Sequence, residues 1–247
     1  SLAGASAAGA VDSVFIGYKA GNAVRSADDN VFIGSEAGVV CMSDDNVAIG
    51  SKAAHTITGS QVTAIGKDAC RLVTGTQNTA IGREAMEGRV SCSPLLSVAV
   101  GDSALRLIDA SAHGNVAVGY RALYGESTAG VSGYSNIGLG YQSGKAISSG
   151  SYNVFCGEYS GSEAYSDGTG ITGDANTGIG YFSLYSITTG GNNTALGQRA
   201  GQGLTTQNKN ILLGFEVGKT TTGADSILII DHENQASNQS TTHFIYG

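Results

Sequence analysis

Asn46-Val47-Ala48-Ile49-Gly50 decides the fold of this chain, because it returns almost unchanged as Asn78-Thr79-Ala80-Ile81-Gly82 and Asn115-Val116-Ala117-Val118-Gly119. Aligned on a Gly that follows an aliphatic residue, the chain has twelve anchors: Gly17, Gly34, Gly50, Gly66, Gly82, Gly101, Gly119, Gly140, Gly157, Gly180, Gly197 and Gly214. They lie 17, 16, 16, 16, 19, 18, 21, 17, 23, 17 and 17 residues apart. A short period sustained along a chain is the signature of a solenoid, whose units bury their apolar side chains only against neighbouring units.

Each column around the anchor has a physical reading. Four residues before the Gly stands Asn in nine copies: Asn30, Asn46, Asn78, Asn115, Asn136, Asn153, Asn176, Asn193 and Asn210. Asn tolerates the left-handed region and bonds its local backbone, so it turns the chain into a strand. Stacked copies of it can also form a ladder. Three before the Gly stands Val, Ile or Thr in every copy, and one before it stands Ile, Val, Leu or Cys. Two residues apart, these columns share one strand face, which is the expected core face. The column between them holds only Ala, Gly, Phe or Leu. Its side is expected to be covered as well, by something that approaches closely enough to favour Ala and Gly.

After the anchor, the second position is mostly polar or charged, as in Lys19, Glu36, Arg121 and Glu216. That is an expected solvated corner. The third position is Ala or Ser in eleven copies, and Gly often follows, as at Gly21, Gly38 and Gly161. Gly and β-branched residues punctuate every window, so helix is disfavoured. The expectation is an all-β fold: a parallel β-roll or β-helix solenoid of about twelve short coils, roughly 55–60 Å long at about 4.8 Å per strand. Residues 1–12 read as a lead-in, 13–224 as the array and 225–247 as capping strands. So thin a rod buries little surface per residue, and self-association as a homotrimer is expected to cover the Ala/Gly column.

Composition narrows the function. Among 247 residues there are 38 Gly, one Pro and no Trp, and 13% are charged. No Gly-X-Y triplet runs through the chain, which excludes collagen. The registered aliphatic positions argue against disorder. The net charge is −7, and the 13 Lys and Arg are scattered without a run, so no nucleic-acid partner and no membrane insertion are expected. The chain opens on Ser1 without the charged region of a signal peptide and reads as a segment of something longer. Cys41, Cys70, Cys92 and Cys156 form no C-x-x-C pair; they read as small buried apolar residues.

The motifs at 46–50, 78–82 and 115–119 resemble the head repeats of YadA-type trimeric adhesins. The longer form, Asn30-Val-Phe-Ile-Gly-Ser-Glu-Ala-Gly38, resembles repeats of phage tail fibres, which commonly precede an endosialidase-type intramolecular chaperone. Asp225-Ser-Ile-Leu-Ile-Ile-Asp231, with Phe244-Ile-Tyr-Gly247, is similar to the strands that end such arrays. The likeness covers nearly the whole chain, although the period is longer than the YadA repeat. It implies a homotrimeric fibre that binds a host-surface glycan or receptor, on a virion or alternatively at a cell surface.

Other motifs weigh less. Gly214-Phe-Glu-Val-Gly-Lys-Thr220 falls one residue short of a phosphate-binding loop and is the twelfth copy of the repeat. The histidines His55, His113, His232 and His243 have no paired spacing. No cofactor or metal is expected. Asp28-Asp29 and Asp44-Asp45 could offer oxygen ligands to a hard cation, or could act as turn residues at a coil corner. Acids on stacked coils could also come within the roughly 5–10 Å that glycoside cleavage needs, yet the chain is expected not to be an enzyme.

The stretched intervals at 88–96, 125–135 and 161–175 are the stronger lead, since insertions on a solenoid collect on its binding face. Nine of the eleven tyrosines lie between 120 and 185, among Ser and Gly, a composition used by binding loops. Tyr124, Tyr134, Tyr152, Tyr159, Tyr165, Asp167 and Tyr185 are the expected receptor- or glycan-binding residues. Tyr120, Tyr141 and Tyr181 directly follow an anchor Gly and are as readily explained by the repeat. The alternatives are a structural spacer, a polysaccharide-cleaving enzyme and an ice-binding solenoid. The irregular Thr pattern disfavours the last.

Overall fold

The computed structural model describes residues 3–4, 9–88, 92–109, 111–125, 130–162, 170–220 and 225–230. It is an all-β parallel solenoid of about twelve turns, with no helix among the described residues. Thirteen three-residue strands, from Val14–Ile16 to Leu228–Ile230, form one parallel sheet in chain order. The register never slips: Phe15 pairs with Phe32, Ala48 with Ala64, and Ala64 with Ala80. Leu228–Ile230, in the segment expected to cap the array, pairs in parallel with Ile211–Leu213. A second wall begins as a three-stranded sheet, Ala23–Val24, Val40–Cys41 and Thr56–Ile57. It continues as isolated bridges such as Val73 with Cys92 and Ile147 with Ile171.

The strands face the opposite way from the expectation above. The middle column points into the coil: Phe32, Ala48, Ala64, Ala80, Ala99, Ala117, Phe155, Ala195 and Leu212 are all fully buried. The flanking columns that were expected to form the core point outward, with Ile81 39% and Leu196 46% exposed. The reason is the narrow cross-section. One inward residue per three-residue strand meets one layer from the second wall, where Val24, Cys41, Ile57, Val73, Ile108, Val131, Ile147, Ile171, Ile187 and Leu204 are buried. Two aliphatic columns on one strand face do not mark the inside here, because the interior has room mainly for small residues.

Where the interior does take a large residue, the rest of the coil compensates. Phe15, Phe32 and Phe155 share their coils with Gly21, Gly38 and Gly161, and a Cβ at those glycines would lie 2.4–2.5 Å from the Phe ring. Five of the six described coils with Ala at the strand centre place Ala54, Cys70, Met86, Leu105 or Leu123 in the same corner position, each with φ between 43° and 53°; the Ala195 coil has Gly201 there. Gly138 and Gly144 leave their coil empty, and Leu123 of the previous coil fills it, since a Cβ at either glycine would meet Leu123 carbons. Close packing of this kind is what protein interiors require.

Two columns fix the coil geometry. The anchor glycines have φ from 128° to 137°, a region that side chains exclude. At Gly82 a Cβ would also lie 2.4 Å from the Gly101 carbonyl oxygen, so coil-to-coil contact forbids one independently of φ. The Asn column forms the expected ladder. The Asn136, Asn153 and Asn176 backbone N–H groups each donate to the preceding Asn Oδ1 at 2.9 Å. Their Nδ2 groups donate to the carbonyls of Gly150, Gly173 and Gly190 at 2.8–3.0 Å. All nine Asn are fully buried, with backbone and side chain both engaged, as buried polar groups must be.

Candidate binding surface

The outward faces of the thirteen strands make a ribbon of two columns. Val, Ile and Thr occupy one, with Leu228 in the last strand, and Ile, Val, Leu and Cys the other. No charged residue interrupts either column among the described residues. The ribbon is roughly 58 Å long at ~4.8 Å per strand and about 10 Å wide. Its plan area of roughly 600 Å² is at the upper end for the largest apolar patch on a monomer.

The corner after the anchor glycines changes character along the stack. Between the Gly66 and Gly101 coils it is charged. Arg83 grips Asp102 with Nε and Nη2, both at 3.0 Å. Arg71 and Arg106 hold the two oxygens of Glu87 at 3.2 and 2.8 Å. The acids here are taken up by arginines, an arrangement suited to a solvated ion-pair network.

Between the Gly119 and Gly180 coils the same corner is aromatic. Tyr120 stacks on Tyr141 with ring centroids 5.2 Å apart. Tyr141 meets Tyr159 edge-on at 5.4 Å, and Tyr159 meets Phe182 at 5.0 Å. Phe182 touches both Tyr181 and Tyr185 at 4.5 Å. The rings are held by backbone geometry: Arg121, Gln142, Tyr159 and Phe182 share the left-handed position, at φ 51–56°, and hydrogen bonds to adjacent coils enforce it, such as Tyr159 N–H to the Tyr141 carbonyl at 3.0 Å. Arg121 lies over the rings of Tyr120 and Tyr124 at 5.3 and 5.2 Å. The Tyr124 hydroxyl accepts from Arg106 Nη1 at 2.9 Å, so Tyr124 joins the aromatic corner to the charged one.

Tyr134 and Tyr152 lie elsewhere. They precede the strands, on the opposite border of the ribbon, and meet edge-on at 5.0 Å. The Tyr134 hydroxyl beside Tyr152 pushes its ionisation above the usual phenol range. Tyr159 is raised also, first by burial and then by the Tyr141 hydroxyl. The residues singled out from sequence thus divide: Tyr124, Tyr159 and Tyr185 on one border, Tyr134 and Tyr152 on the other. Tyr165 and Asp167 lie outside the described residues. Tyr120, Tyr141 and Tyr181 belong to the cluster despite their place in the repeat. Phe182 was missed; it breaks a column that is otherwise mostly polar, and that break was the available signal.

The other candidates resolve into structure. The carboxylates of Asp28 and Asp44 accept the N–H groups of Val11 and Asp28, both at 2.8 Å, and Asp174 and Asp225 do the same for Ser151 and Asn208. These acids close a corner. Lys219 of the loop-like motif binds Glu216 at 3.0 Å. Cys41, Cys70 and Cys92 are buried and Cys156 sits on the ribbon; burial raises the Cys70 thiol and pushes Cys92 up to about 12. Burial likewise lowers the His55 pKa. Among the described residues no three His, Cys, Asp or Glu side chains gather to hold a metal. Compared with family models, curated proteins and solved structures, the chain matches none.

Proposed function

We propose that the chain is a receptor-binding segment of a homotrimeric fibre, a tail fibre of a virion or alternatively a cell-surface adhesin, and that it acts without catalysis. The observation that carries this reading is the apolar ribbon. It runs the length of the array, and its register is as regular as the sheet that bears it. A partner that covers it must be long, straight and of the same pitch, and further copies of the chain meet that requirement. The likeness of the repeats to trimeric fibres supports three copies. The partner-facing surface is therefore the outward Val/Ile/Thr ribbon rather than the inward Ala/Gly column.

Recognition of a host-surface glycan or receptor falls to the tyrosines beside the ribbon. Tyr offers a large rigid face with a polar tip, and the aromatic corner is confined to a few adjoining coils, as a site would be. A spacer would need no such departure from the charged corner of the Gly66 to Gly101 coils. Two measurements test the reading. Light scattering on the purified chain should give three times 24.9 kDa. Alanine at Tyr141, Tyr159, Tyr181 and Tyr185 together should abolish attachment to host cells. A monomer mass removes the fibre, and unchanged attachment removes the tyrosine site.

A further inference from the structure

We infer that the aromatic surface is composite: at each seam of the assembly, Tyr134 and Tyr152 of one chain stand opposite Tyr141 and Tyr159 of the next, and the binding site is incomplete in a single chain. The inference rests on the trimer proposed above and adds a partner residue set to its site.

The argument is geometric. A ribbon that runs the full length of the stack is covered along its length by like copies when the symmetry axis is parallel to the stacking direction. Rotation about such an axis produces head-to-tail contacts, so one border of each ribbon meets the other border of its neighbour. Pure rotation adds no shift along the axis, so coils of equal rank face each other. Tyr134 and Tyr152 lead into the strands anchored at Gly140 and Gly157, on one border. Tyr141 follows Gly140 and Tyr159 follows Gly157 by two residues, on the other border. The two aromatic groups of one chain are separated by the ribbon, yet they occupy the same two coils. Rotation therefore brings unlike borders together at the height where both are aromatic. Among the described residues no other coil carries an aromatic pair on the border before the strand.

The test uses the full chain with Cys156 replaced by Ser, which removes the thiol on the ribbon. Tyr152→Cys and Tyr141→Cys are introduced together, and the protein is treated with a flexible bismaleimide. A covalent trimer from the double variant, with no inter-chain product from either single variant, is the expected result. Tyr152→Cys paired with Lys67→Cys is the control for height, because Lys67 sits on the second border five coils earlier, about 24 Å away at the strand spacing; it should give no product. A trimer mass without cross-linking of the Tyr141 and Tyr152 positions overturns the composite site while leaving the fibre reading intact. Cross-linking of the Lys67 pair instead means that the copies are staggered, and overturns it too. A monomer mass removes both readings.

Discussion

Thr79, Ala80 and Ile81 are consecutive, yet Ala80 is fully buried while Ile81 is 39% exposed. The smaller, less hydrophobic residue is inside and the larger is outside. In a thick domain the reverse would hold, because burial of a large aliphatic side chain contributes about 1.5–3 kcal/mol. Here the coil is one side-chain layer thick, and the middle residue of a three-residue strand must point into it. The aliphatic residues line the outer face of the coil, the face assigned above to further copies of the chain in the proposed fibre. Hydrophobicity alone therefore does not say which side of a strand is the core of the monomer.

The comparison can be broken from either face. Ala80→Glu puts an unpaired charge into the interior, and is expected to cost more than about 4 kcal/mol and prevent folding; circular dichroism and thermal melting would show it. Phe32→Ala opens a cavity, at about 3–5 kcal/mol. Adding Gly38→Leu should recover much of that loss, since it recreates the Ala and Leu combination of the Ala99/Leu105 coil, less roughly 1 kcal/mol for a left-handed leucine. No recovery in chemical denaturation would show that size compensation within a coil is incidental.

Asn153→Ala leaves a donor and a carbonyl of the ladder without partners, and should cost about 1–3 kcal/mol. On the outer face the response differs in kind. Ile65→Glu with Ile81→Glu should leave the folded monomer within about 0.5 kcal/mol of the parent chain while reducing the mass by light scattering to that of one chain. If the pair unfolds the protein, the ribbon contributes to the monomer fold itself.

The smallest effect expected is electrostatic. Arg199 at 2.7 Å and Lys219 at 3.0 Å hold the Glu216 carboxyl below its ordinary value of 4.5. A carboxyl depressed on folding stabilises above its unfolded pKa and loses that contribution as the pH falls through the folded one. The melting temperature should therefore decline slightly more on acidification below about pH 4.5 in the parent chain than in Glu216→Gln.

The aromatic corner was partly legible. Clustering of tyrosine between 120 and 185 was visible in the sequence, but its division between two borders was not, because Tyr134 and Tyr141 differ by seven residues in sequence and by a ribbon in space. Tyr120, Tyr141 and Tyr181 looked like ordinary members of a repeat column. They become a surface only because in-register stacking sets equivalent positions about 4.8 Å apart, close enough for ring contact.

What the sequence determined by itself was the period, the parallel stacking and the turns. Those follow from local backbone demands repeated in every copy: a Gly at φ near 130°, an Asn whose side chain replaces a backbone partner, and β-branched residues between them. What only the tertiary structure decided was which strand face is inside. The pattern alternates apolar with apolar, so period alone leaves the phase open, and the phase is set by the width of the coil. Phe beside Gly and Ala beside Leu are the written trace of that width, readable once residues from the two corners of a coil are known to share one interior.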